Sequence, residues 1–88
     1  MANIKSQIKR NRQNERLRAR NRAIRSEMKT RTRNALEAAE AGDAVGAEEA
    51  LRMAQTRIDT AVAKGVLPKN TAARRKSRLT HQVRSRLG

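Results

Sequence analysis

The sequence predicts an all-α fold: an antiparallel three-helix bundle with a long first helix that projects N-terminally beyond the other two. Three observations carry this expectation. Apolar residues recur three and four positions apart, the period of a helix face, and nothing alternates with the period of two that strands require. No Gly or Pro occurs before Gly42, so the first helical segment runs unbroken. The two interruptions, near Gly42 and over residues 65–70, are short enough to turn neighbouring helices antiparallel.

The first helix is predicted over about residues 6–41. Leu17, Ile24, Met28, Ala35 and Ala39 are spaced 7, 4, 7 and 4, which places them on one face, and Leu36 broadens it. At 1.5 Å per residue such a helix is roughly 50 Å long, well beyond the usual three turns. Ile4 and Ile8 lie about 180° from the Leu17 face of a continuous helix. They do not extend the core seam, so the first turns are expected to project past the bundle.

The middle helix is predicted over about residues 44–64. Ala47, Leu51, Ala54, Ile58 and Ala61 are spaced 4, 3, 4 and 3, with Val62 beside them. Asp43 stands at the N-cap position, and Glu48 and Glu49 lie near the positive end of the helix dipole. Gly65 follows Lys64 as the residue after a C-cap does. The third helix is predicted over about residues 71–87. Pro68 stops what precedes it, Asn70 suits an N-cap for a helix beginning at Thr71, and Ala72, Leu79, Val83 and Leu87 share a face.

Eighty-eight residues make a single small domain, taken here as 1–88. The chain has no Phe, Tyr or Trp, so its core must come from Ile, Leu, Val, Met and Ala. Met28 and Met53 fall on apolar faces and are expected to fill it. A core so small leaves the free protein marginally stable, with basic ends that order on binding.

Catalytic and cofactor chemistry finds little to work with. Zero Cys excludes disulfides and thiolate metal sites, and one His without clustered carboxylates leaves no metal constellation. No serine–histidine–aspartate set can be assembled. Gly42-Asp43-Ala44-Val45-Gly46 lacks the Lys-Ser/Thr that completes a phosphate loop. His81, among basic residues, reads as a surface or RNA-contacting group. The expectation is therefore no enzyme, no cofactor and no small-molecule substrate. The opening Met1-Ala2-Asn3-Ile4-Lys5 has no apolar leader core, and no apolar run approaches the roughly 20 residues that span a bilayer. A cytoplasmic location without a membrane partner follows as an expectation.

Charge is the informative quantity. Residues 1–34 carry 12 Lys/Arg against 2 Asp/Glu, residues 35–63 carry 2 against 6, and residues 64–88 carry 8 against none. The net charge is +14. Such a field attracts polyanions over long distances and repels its own compact state, so a neutralising partner is expected. In the first helix Arg18, Arg22, Arg25, Lys29 and Arg33 form a stripe beside the apolar seam. Lys5, Lys9, Arg12 and Arg16 form a second where the seam is missing. Like charges at i,i+4 cost a few tenths of a kcal/mol per pair, a cost that phosphates lying opposite would offset. Arg74, Arg75 and Lys76, with Arg78 one turn on, sit at the dipole-disfavoured start of the third helix. That placement is poor for folding and useful for gripping a backbone. Asn70 and Thr71 can add amide and hydroxyl contacts, though capping alone also explains Asn70. Arg outnumbers Lys 16 to 6, which suits phosphate and base contacts but also follows from genome composition. Glu37, Glu40, Asp43, Glu48 and Glu49 gather at one inter-helix turn, an end that repels phosphate or merely aids solubility. Without aromatic platforms, recognition must run through backbone and shape.

Two stretches resemble the bacterial ribosomal protein S twenty family. The first is Asn3-Ile4-Lys5-Ser6 with Lys9-Arg10, the arginine run through Asn21-Arg22, Ser26 and Lys29-Thr30. The second is the ordered segment from Lys64-Gly65-Val66-Leu67-Pro68 through Lys69-Asn70-Thr71-Ala72-Ala73-Arg74-Arg75-Lys76-Ser77-Arg78-Leu79. Together they cover about half the chain. One departure is Leu67-Pro68, where the family more often has Ile-His, so any contact by that His is lost here. The resemblance implies a three-helix bundle that binds small-subunit ribosomal RNA directly and early in assembly, near the base of the subunit body. It also implies a first helix inserted among RNA helices. On the same ground Lys5, Ser6, Lys9, Arg10, Lys69, Asn70, Thr71, Arg74, Arg75, Lys76, Ser77 and Arg78 are expected RNA contacts.

The expected partners are thus small-subunit ribosomal RNA and neighbouring small-subunit proteins, without homo-oligomerisation. The rival expectation is a nucleoid-associated architectural DNA-binding protein. It fits the charge but lacks a helix-turn-helix or a minor-groove wedge. An amphipathic membrane-surface protein fits less well, because the apolar faces are needed for the bundle.

Overall fold

A computed structural model describes residues 3–88. Met1 and Ala2, part of the segment considered above for an apolar leader, lie outside the described residues. Three helices follow in order: α1 (Asn3–Glu40), α2 (Ala44–Ala63) and α3 (Lys69–Leu87). Every pair of helices is in contact, which makes the assembly a bundle.

Both turns are built the same way. At the end of α1, Gly42 N–H donates to Ala39 O at 3.1 Å and Asp43 N–H to Ala38 O at 3.0 Å. At the end of α2, Gly65 N–H donates to Val62 O at 3.0 Å and Val66 N–H to Ala61 O at 2.8 Å. These paired bonds satisfy the last carbonyls of each helix but require a left-handed residue, and φ is 77° at Gly42 and 73° at Gly65. Asp43 then caps α2 as expected, its Oδ1 accepting from Gly46 N–H at 3.0 Å.

The start of α3 corrects the expectation. The helix begins at Lys69 with Pro68 in the cap position, and Ala72 N–H donates to Pro68 O at 2.9 Å. Pro68 already holds extended backbone angles (φ −63°, ψ 144°), which aim its carbonyl at the first turn. Asn70 therefore lies inside the helix, exposed and relieved of capping.

The core is an alanine seam with a few larger side chains. Ala35 and Ala39 of α1 meet Ala47, Leu51 and Ala54 of α2, and Leu79 and Val83 of α3 close this cluster. Met28, Ile58, Ala61 and Ala72 form a second cluster nearer the α2–α3 turn. The alanines at the α1–α2 contact are fully buried, and such small residues favour the close end of the usual 8–10 Å helix separation. No charged or polar residue is buried among the described residues.

Two apolar residues are not where the periodicity puts them. Leu17 is 46% exposed, because α2 returns along α1 only as far as Arg20, whose Nη2 donates to Lys64 O at 3.2 Å. The helical period is correct, but no partner helix reaches that position. Met53 is 43% exposed on the outer side of α2, with its sulfur 4.0 Å from Arg31 Nη1. It is not core filler.

The mismatch in helix length sets the shape. α1 has 38 residues and α2 has 20. About 25 Å of α1 therefore extends past its partners at 1.5 Å per residue. The molecule measures 65 × 22 × 13 Å, with a radius of gyration of 17.5 Å. A compact chain of this length would have about 12 Å.

Candidate nucleic-acid interface

The charged residues divide into those that hold the helices together and those left facing solvent. Glu27 accepts from Arg57 at 3.0 Å and lies 3.8 Å from Arg31, tying α1 to α2. Asp59 accepts from Lys76 at 2.8 Å, tying α2 to α3. Glu40 accepts from Arg86 at 3.2 Å, tying α1 to α3. Each pair is partly exposed, so each contributes about 0.2–1 kcal/mol. Their effect on the surface is larger, since three carboxylates are consumed internally.

Six of the other cations are brought together in a groove of about 820 Å³ between α1 and α3, and one of these, Arg33, also lies 3.9 Å from Glu37 on its own helix. Arg22, Arg25, Lys29 and Arg33 line it from α1, and Arg75 and Arg78 line it from α3. These come from two sequence blocks about fifty residues apart, and the antiparallel return of the chain makes them one rim. Ser26 and Thr32 of α1 and Gln82 of α3 join them. No carboxylate lines the groove. Its floor is apolar, made by half-buried Leu36, Val66 and Leu67 and backed by the buried core residues Met28, Ile58 and Leu79.

Arg18 continues the same α1 stripe beyond the groove and onto the projecting arm. On that arm every described side chain from Ile4 to Arg20 is exposed. Lys5, Ser6, Lys9, Arg10, Arg12 and Arg16 stand there, and none of the five cations has an ion-pair partner among the described residues. Ile4 and Ile8 are exposed beside them, at 59% and 48%.

The cluster at the start of α3 does not stay together. Arg75 and Arg78 face the α1 groove, while Lys76 and Ser77 face a second, polar groove of about 520 Å³ between α2 and α3. Arg74, Lys69 and Asn70 are exposed outside both, and Thr71 is half-buried. Lys76 is half-buried and spends its ammonium on Asp59, so it is the expected contact least available to a ligand.

Sequence reasoning passed over several groups. Ser26 and Gln82 lie at helical spacing from residues it did select: Ser26 is four after Arg22, and Gln82 is four after Arg78. That periodicity would have found them. With His81, exposed there as the sequence reading allowed, Arg84 lines the second groove beside Gln55 and Thr80, which hydrogen-bond at 3.0 Å. Nothing in the sequence signals that pairing.

Chemically, a row of guanidinium groups over an apolar floor binds and orients anions. It offers no nucleophile–base pair. Among the described residues no three His, Cys, Asp or Glu side chains are grouped to hold a metal ion, and no helix is long and apolar enough to cross a membrane.

Fold and site define a class: a small, elongated helical bundle whose cations are concentrated along one long helix and the groove beside it. The chain belongs to the ribosomal protein S20 family, whose sequence profile matches residues 2–84. It is similar to the small ribosomal subunit protein bS20 of Beutenbergia cavernae, with 57% identity over 83 residues that cover 94% of this chain and 96% of that one. The Streptomyces griseus protein of the same name is 54% identical over 85 residues, covering 97% of each chain. That of Tropheryma whipplei strain Twist is 54% identical over 83 residues, covering 94% of this chain and 87% of that one.

Proposed function

We propose that this protein is a structural, non-enzymatic constituent of the small ribosomal subunit. It binds small-subunit ribosomal RNA directly through α1 and α3, supports early assembly of the subunit, and acts in the cytoplasm. Its partners are that RNA and adjoining small-subunit proteins; it needs no cofactor, small-molecule substrate, membrane or second copy of itself. The contacts are those expected from the sequence, Lys76 contributing least.

The observation that carries this reading is the continuity of cations from the arm into the α1–α3 groove, without a carboxylate on the groove wall. Glu37 beside Arg33 and Glu15 on the arm offset little of this charge, so many like charges are held together at a cost to the stability of the fold. RNA phosphates offset that cost. The relatives, all named as small ribosomal subunit proteins, give the same direction. No observation favours the architectural DNA-binding alternative.

Sedimentation of lysate on a sucrose gradient tests the location: the protein should travel with small subunits and leave them only at high salt. Filter binding to small-subunit RNA tests the mechanism. With 6–10 phosphates contacted, affinity should fall by about 10³–10⁵ between 50 and 200 mM salt. An affinity that barely responds to salt would refute the mechanism. Co-sedimentation with chromosomal DNA instead of ribosomes would refute the assignment.

A further inference from the structure

We propose that the α1–α3 groove receives one unstacked nucleotide of the bound RNA, its base on the apolar floor and its phosphate on the arginine rim. This rests on the RNA-binding reading above and adds what kind of nucleotide the site takes.

A protein surface that meets only the phosphate backbone needs cations, and the exposed arm supplies those. It has no use for a concavity that leaves Leu36, Val66 and Leu67 half-exposed. Apolar surface left in a cationic cleft is suited to a ligand that is itself anionic at one end and flat and poorly hydrated at the other. A nucleotide has that form. The groove, at about 820 Å³, falls within the range of sites that enclose small organic groups.

Paired A-form RNA shows only base edges in its shallow minor groove and keeps the base faces stacked, so a base that lays its face on this floor must be splayed out of its helix. Proteins usually hold such bases on aromatic rings, and this chain has none. Guanidinium planes are the remaining stacking surface, and five of the six rim cations are Arg rather than Lys. The rim also carries uncharged hydrogen-bonding groups. Ser26, Thr32 and Gln82 make no side-chain hydrogen bond within the described residues. These can address a base edge, which a rail for phosphates alone does not require. An acidic amphipathic protein segment would satisfy the charge and the guanidinium forks too; the nucleotide is favoured by the RNA-binding reading on which this proposal rests.

The test uses the full chain, small-subunit RNA and a fully paired RNA duplex as control. Probing the RNA with dimethyl sulfate (for A and C) and a carbodiimide (for U and G), with and without protein, should reveal protection at one or a few adjacent unpaired bases. Ser26→Trp and Thr32→Trp fill the groove without changing its charge. Each should weaken binding to the ribosomal RNA at least tenfold and abolish that protection. Duplex affinity and the salt slope should stay as in the wild type. No protected unpaired base with the wild-type protein overturns the proposal whatever the variants do, including failure to fold, which circular dichroism would detect. Equal losses on RNA and duplex overturn it in favour of a simple phosphate rail. Unchanged RNA affinity in folded variants, with a neighbouring protein lost from the assembled subunit, overturns it in favour of a protein segment. Wild-type protein that does not bind the ribosomal RNA at all is a different failure, that of the underlying function.

Discussion

Removing residues 1–16 separates binding from folding, because the two draw on different parts of α1. The bundle begins where Arg20 reaches the Lys64 carbonyl, and the first half-buried apolar side chain of α1 is Ile24. Every buried residue, every inter-helix ion pair and the Gln55–Thr80 hydrogen bond lie after that point. The shortened protein should therefore unfold within about 0.5 kcal/mol of the intact one, as surface changes usually do. It also sheds Lys5, Lys9, Arg10, Arg12 and Arg16. At about 0.9 per phosphate for duplex and 0.7 for single strands, five lost contacts reduce the slope of log affinity against log salt by about 4. Denaturant unfolding followed by circular dichroism reads the first quantity, and filter binding to small-subunit RNA over a salt series reads the second. A stability loss beyond about 2 kcal/mol would mean that the arm packs on the bundle. An unchanged slope would mean that the arm does not lie along phosphates.

Other outcomes follow from the same division of labour. Leu51→Ala, at a core position 3% exposed, should cost about 2–5 kcal/mol; Leu17→Ala, identical in chemistry, should stay within about 0.5 kcal/mol in the same denaturant titration. Asp43→Ala removes the only side-chain cap of α2 and should cost about 1 kcal/mol by thermal or denaturant unfolding. Arg75→Ala with Arg78→Ala should weaken RNA binding while leaving helical content intact, and a loss of ellipticity would show that these side chains support the fold. Lys76→Gln should lower RNA affinity less than Arg75→Gln, although each removes one positive charge, since Lys76 already serves Asp59.

The α2 seam was fully legible. Ala47, Leu51, Ala54, Ile58 and Ala61 are all buried, because a helix packed on two sides hides whatever its period aligns. Asp43, Gly42 and Gly65 were legible for a local reason, as their hydrogen bonds and φ angles involve residues only a few positions away. Leu17 misled because period tells which side of a helix a residue is on, not whether a neighbour extends that far. Asn70 misled because proline can cap a helix through its backbone alone. The α1 stripe was legible residue by residue. Its meeting with Arg75 and Arg78, the apolar floor beneath them and the diversion of Lys76 to Asp59 were not.

The sequence by itself determined the helices, the caps of the middle helix and its seam, and the separation of charge into two basic ends and an acidic centre. All of these depend on spacing of three or four residues or on block composition. Only the tertiary structure decided which cations face a ligand and which serve as internal clips, since that depends on where helices of 38, 20 and 19 residues lie against one another. Their unequal lengths leave one end of α1 bare, and their antiparallel return joins two distant basic segments across a single groove.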